Sequence, residues 1–230
     1  MRQQIISLEL TQAEPEWLDL EKAVDKTCRL IVEAATNGAK LITFPECWIP
    51  GCRPVDFEPS IIYIKNSLQI NSPQMAQICA CVAENNINVS VGFSENDNNS
   101  IYISQVIIRN DGRITMARRK LKPTHMERTV FGDASGNCLK NVAEVPGIGR
   151  FGALACWELA QSLLKYNTIP RKEDFHVAAW PPVFEHDGGP GLWSMSKEAF
   201  IDVGDHYSRP DMLWLGTDDR EKKNSRTQEE

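Results

Sequence analysis

The chain has 230 residues, 42% hydrophobic and 24% charged, with a formal net charge of −6. That is enough for one large domain or two small ones around a sizeable core, and the negative balance works against nucleic acid or an anionic membrane as partner. A run of about 18 apolar residues, the length a membrane helix needs, occurs nowhere, and the start MRQQIISLEL is too short and polar for a secretory h-region.

The seven cysteines, odd in number, read as reduced thiols of a cytoplasmic protein. Cys79 and Cys81 stand one residue apart rather than two, and the four histidines show no H-x-x-x-H spacing, so no zinc signature is present.

In chain order, Leu20, Val24, Cys28, Ile31 and Ala35 repeat with a helical period across 19–36, and Asn37-Gly38 supplies a stop. KLITF then reads as a short buried strand ending at Pro45-Glu46. Ser72 followed by Pro73 predicts an N-cap and first helical position, with Met75, Ile78, Cys79 and Val82 continuing the helix. INVSVGF (87–93) is a strand, and IYISQVIIR and RITMARR flank Asn110-Asp111-Gly112 as a hairpin. RFGALA (150–155) is another buried strand, 158–166 a helix and FHVAAW (175–180) a further strand. Helices alternating with strands predict a layered α/β domain over 1–215, followed by a polar mobile tail at 216–230.

Three strand ends carry polar residues: Glu46 after LITFP, Lys120 after RITMARR and Cys156 after FGALA. Ligands in open α/β sheets collect at the carboxyl ends of strands. Singly, each has a plain explanation: a packed small hydrophobe for Cys156, a loop carboxylate for Glu46, a surface base for Lys120. The basic run ARRKLK at 117–122 reads in the same way as a solvated strand end. Together, a thiol, a base and a cation are the parts of an activated nucleophile.

At these residues the chain resembles the nitrilase superfamily, and within it the fungal and bacterial nitrilases. QAEPEWLDLEKAVDKTCRLI, FPECWIPG, RRKLKPTHMERTVFGDASG, GALACWE and HVAAWPP are similar to the family's blocks, in the family's order. The resemblance implies an α-β-β-α sandwich and an active site of Glu46, Lys120, Glu127 and Cys156. It implies hydrolysis of an organic nitrile to carboxylic acid and ammonia through a cysteine thioimidate and acyl-enzyme. Neither metal nor organic cofactor is implied. Cys156 would be the nucleophile and Glu46 the general base. Lys120 would supply a fixed charge that favours the ionised forms of Cys156 and Glu46, with Glu127 holding Lys120 in place. Trp157 lines the pocket or packs the core, and Trp180, Pro181 and Pro182 shape a pocket wall. His125 fixes its loop by hydrogen bonds, and Arg119 and Lys122 belong to a solvated face. The implied partners are a small nitrile and further copies of the chain, with no nucleic acid or membrane. Cyanide hydratase and amidase are the neighbouring activities, and a catalytically inactive homologue acting only in assembly is the alternative from another class.

The chain departs from the family at two points and a smaller third. Gly51 runs straight into Cys52-Arg53-Pro54 where nitrilases carry an aromatic-rich segment. GPGLWSMS and KEAFIDVGDHYSRPDMLWLG, normally far apart, meet near Ser196–Ala199. Leu159 stands where many relatives have His. The join predicts a second sheet short of strands, a site not held in geometry, and a chain that folds loosely or aggregates when expressed alone.

Overall fold

The computed structural model describes residues 6–51, 61–181, 185–189, 193, 196–199, 201–202 and 213–216, the last of these as backbone only. Cys52, Pro182 and the tail from 217 onward lie outside the described residues.

The first sheet holds five strands in chain order: β1 (Leu8–Leu10), β2 (Leu41–Thr43), β3 (Asn88–Asp97), β4 (Ser100–Ile108) and β5 (Ile114–Arg119). β1, β2 and β3 run parallel, and β3, β4 and β5 are joined antiparallel. The parallel crossovers are made by helices. α1 (Leu20–Thr36) starts at Asp19, whose side chain accepts from the Lys22 N–H, and ends at Asn37 as its composition predicts. α2 (Ile61–Asn66) and α3 (Pro73–Asn85) follow β2, and Ser72 caps α3 through the Met75 N–H with Pro73 at the first turn.

The second sheet is β6 (Val142–Val145), β7 (Gly149–Ala155), β8 (Phe175–Ala179) and β9 (Leu213–Gly216), in that order among the described residues. β6 pairs antiparallel with β7; β7, β8 and β9 are parallel. α4 (Ser162–Thr168) follows β7.

Alternation along the strands builds the layers. Leu41, Ile107, Met116, Phe151, Ala153 and Val177 meet between the two sheets. Their neighbours Ile42, Val106 and Ile108 face the other way, onto α1 and α3. Leu154 and Ala178 face the side of Leu164 on α4. The result is an α-β-β-α sandwich.

Several expectations shift. β3 runs four residues past the predicted end at Phe93, because Asn98 and Asn99, both at positive φ, close a tight two-residue hairpin to β4. The helix expected at 158–166 is broken. A 3-10 turn covers Cys156–Ala160, Gln161 is extended, and only then does α4 begin. Among the described residues the second sheet has four strands against five in the first, and the join at Ser196–Ala199 does not leave β8 bare. β9, from beyond the join, pairs with it, and Ala199 and Ile201 pack inward, Ile201 against the cluster that holds Cys156. Strand pairing is made by backbone groups, so a segment from beyond the join can take the place beside β8.

Candidate active site

Glu46, Lys120 and Cys156 leave the carboxyl ends of β2, β5 and β7, and the turns after those strands bring them together. Glu46 sits in a turn pinned from two sides. Its N–H donates to the Trp180 carbonyl at 3.1 Å, and Gly92 of β3 lies directly beneath Pro45. The Lys120 N–H continues the β4–β5 ladder by donating to the Ile103 carbonyl at 2.7 Å. Cys156 opens the 3-10 turn after β7 with φ 50, a left-handed conformation that non-glycine residues rarely take. A sharp strand-to-helix turn of this kind presents a side chain at the end of a sheet.

The Lys120 ammonium is sealed from solvent and donates to three carboxylate oxygens: Glu46 Oε1 at 2.9 Å and Glu127 Oε1 and Oε2 at 3.1 and 2.8 Å. Glu127 stands on the 3-10 turn His125–Thr129, where its Oε2 also accepts from the Thr124 N–H at 2.7 Å and hydroxyl at 3.2 Å. The Cys156 sulfur and one oxygen each from Glu46 and Glu127 all lie within 4.8 Å of one another. These three are donors of metal-ligand type, but the cation among them is Lys120. The second Glu46 oxygen, Oε2, is buried with no hydrogen-bond partner.

Burial sets the charge states. It pushes the Glu46 carboxyl up, against the pull of Lys120, to about 7. It pushes the Cys156 thiol well above its ordinary value, and the Lys120 charge and the Trp157 backbone N–H only partly offset this. Lys120 itself stays charged, because Cys156, Glu46 and Glu127 outweigh the cost of its burial. The expectation that Lys120 favours ionised Cys156 and Glu46 therefore holds for the direction of its pull, while desolvation is the larger effect on both groups.

Beside Cys156 lies an aromatic cluster. Trp157, half-buried, has its ring 6.4 Å from that of buried Trp180 at a steep angle, and the His125 ring 6.3 Å away on another side. His125 is exposed, and among the described residues its side chain has this ring neighbour and no hydrogen bond. Pro181 follows Trp180 and is half-buried.

The basic run is not a solvated strand end. Arg118 and Lys120 point inward and are buried. Arg119 grips Glu95 and Asp97 and lies 3.9 Å over the Tyr102 ring. Only Lys122, paired with Asp133, is exposed as expected. Sequence reasoning also missed Glu158. Its carboxylate is buried, accepts both terminal nitrogens of Arg118 at 2.7 Å, and is held below the usual range by that guanidinium despite its burial. Nothing in the local pattern marks it, since its partner lies forty residues away.

Comparison with known proteins gives a match to the carbon-nitrogen hydrolase family model over residues 8–197. An arylacetonitrilase of Aspergillus niger is 57% identical over 209 residues, 88% of this chain and 63% of that protein. One from Hypocrea virens is 56% identical, covering 86% of this chain and 62% of its own length. The chain thus spans under two thirds of the length of these relatives. A second A. niger arylacetonitrilase aligns at 42% identity over 308 positions, 96% of this chain and 91% of that protein. That span exceeds the 230 residues present, so the alignment crosses long gaps in this chain. Among solved structures, the amidase from Nesterenkonia sp. AN1, with acrylamide added at its active-site cysteine, superposes with a TM-score of 0.65 at 14% identity. It covers 82% of this chain and 72% of its own, which is agreement of fold.

Proposed function

From the premise that the chain belongs to the carbon-nitrogen hydrolase family, we propose that it hydrolyses an arylacetonitrile-type nitrile to the carboxylic acid and ammonia. The observation that carries this reading is the Glu46 carboxylate: one oxygen is held by Lys120, the other is buried with no hydrogen-bond partner, and the carboxylate comes within 4.8 Å of the Cys156 sulfur. A base with a value near neutrality beside a protonated thiol is arranged to take a proton on demand.

Glu46 takes the Sγ proton as sulfur attacks the nitrile carbon and passes it to the nitrogen, which gives the thioimidate and returns the carboxylate. A water, deprotonated by Glu46, adds to that carbon. Ammonia leaves from the tetrahedral intermediate, and an acyl-thioester remains. A second water releases the acid and returns the thiol. Lys120 faces the negative charge that develops in each addition, in a site without bulk water, where a fixed charge is worth most. Glu127 and Thr124 keep Lys120 in place. Trp157, half-buried beside Cys156, offers an aromatic face suited to an aromatic ring, and the two arylacetonitrilases from A. niger and H. virens support that substrate class.

The test is incubation of the 230-residue chain with phenylacetonitrile, following ammonia and product mass, with Cys156→Ala as control. Phenylacetic acid and equimolar ammonia from the parent alone support the reading. Amide as sole product points to a hydratase, and no turnover with an alkylatable Cys156 points to the assembly-only reading.

Two further points belong to this reading. The described cysteines are free thiols, which supports the cytoplasm. No helix among the described residues is long and apolar enough to cross a membrane. Leu163, Tyr166 and Ile169 form an exposed apolar stripe along and just past α4, which supports association of copies.

A further inference from the structure

We propose that Arg118 and Glu158 form a positioning couple that sets Lys120 against Cys156 by fastening the edge strand of one sheet to the cysteine turn of the other. The proposal rests on the reading of Cys156 as the nucleophile.

The attachment points are specific. Glu158 Oε2 accepts from Arg118 Nη1 at 2.7 Å and from the Ala155 N–H at 3.0 Å. Glu158 Oε1 accepts from Arg118 Nη2 at 2.7 Å and from the Leu121 N–H at 2.8 Å. Ala155 immediately precedes Cys156, and Leu121 immediately follows Lys120. Arg118 lies two residues before Lys120, on the same face of β5. One carboxylate therefore grips the chain on both sides of the lysine and just ahead of the cysteine.

Arg118 is fixed in turn by the Gln105 side-chain oxygen at 3.0 Å and the Cys138 carbonyl at 3.4 Å. Both side chains of the pair are fully buried. Apolar residues of similar volume fill such a place at least as stably, so packing alone gives no reason for the ions. A planar fork clamped on two oxygens, with two backbone donors added, gives direction as well as attraction. Catalytic groups on separate elements need this, since a misplacement of about 1 Å can cost on the order of 100-fold in rate.

The test uses the whole chain and reads the pH dependence of Cys156 alkylation by iodoacetamide with peptide mapping, which needs no nitrile chemistry. Replacing the couple as a unit, Arg118→Met with Glu158→Gln, removes a neutral pair, so a change in the Cys156 titration must come through geometry. The expected result is retained cooperative melting with an alkylation midpoint moved upward, because Lys120 no longer holds the thiolate. Turnover of phenylacetonitrile falls about 100-fold in kcat with KM little changed. Where the parent turns over no nitrile, the alkylation arm stands alone, and failure of the hydrolase reading is told apart from failure of the couple. Where the double variant does not melt cooperatively, Arg118→Lys and Glu158→Asp carry the test, each moving the midpoint upward by less. A folded variant with the parent midpoint overturns the proposal. So does loss of cooperative melting in all three variants, which would make the pair a support of the whole fold.

Discussion

Lys120 and Glu46, seventy-four residues apart in sequence, meet at 2.9 Å with both side chains closed off from solvent. The lysine is the counter-charge for two carboxylates and the cation whose charge acts on the Cys156 thiol. Lys120→Met leaves those acids facing one another. Its expected cost is about 10²–10³ in kcat, the range for a lost electrostatic donor, and on the order of 3 kcal/mol in stability for a broken buried pair. Single-turnover kinetics and urea melts measure the two; a variant within a few-fold of the parent in kcat would show that the charge is not used.

Glu46 gives a pH signature of unusual sign. Its carboxyl is raised from 4.5 to about 7 by burial, so between those values the native state keeps a proton that the unfolded chain has released. This contribution to stability is fully present below the unfolded value and is lost as pH rises through about 7. It is on the order of 3 kcal/mol. Urea melts of the parent and Glu46→Gln at about pH 5 and pH 8 should show the parent losing stability relative to the variant as pH rises. Turnover should move the other way, rising with pH through about 7, because the base must be ionised to act.

Gly92 is a strand residue with no room for a side chain. An added Cβ would lie 2.3 Å from the Pro45 carbonyl oxygen and 3.0 Å from the Glu46 Cα. Both are backbone, so Gly92→Ala must displace the turn that carries Glu46. The expected outcome is a loss of about 1–3 kcal/mol and a fall in kcat larger than any change in KM. Gly136→Ala, where a Cβ meets nothing within 4 Å, is the control and should leave both unchanged.

The stripe on α4 is 83% exposed at Leu163 and 74% at Tyr166. Leu163→Lys with Tyr166→Glu should reduce the particle size measured by light scattering while leaving Cys156 alkylation as in the parent. Unchanged size would place the association elsewhere.

Elements with a strong local signal were legible in the sequence. α1 announces itself by its period and by Asp19 and Asn37, α3 by Ser72-Pro73, and the β4–β5 hairpin by Asp111-Gly112. The four site residues came from motifs longer than any single element. What stayed hidden was decided by distant partners. Arg118 and Arg119 look like surface charges until Gln105, Glu158 and Glu95 close on them, and Gly92 looks like a weak point in a strand until Pro45 is laid across it. The continuation of β3 was lost because Ser94–Asp97 are polar. Ser94 and Glu95 are nonetheless buried, where Ser67, Ser104 and Arg119 satisfy them.

Cys156 hangs from one layer of the sandwich and Lys120 from the other. Their separation therefore gauges the thickness of the molecule at that end, and the side chains between the sheets act as spacers. Trimming a spacer such as Phe151, which stacks on Phe175 at 4.9 Å, lets the layers settle or slide. A mutation deep in the apolar seam, touching no reactive atom, would then be felt first as altered chemistry at sulfur and only afterwards as a lower melting temperature.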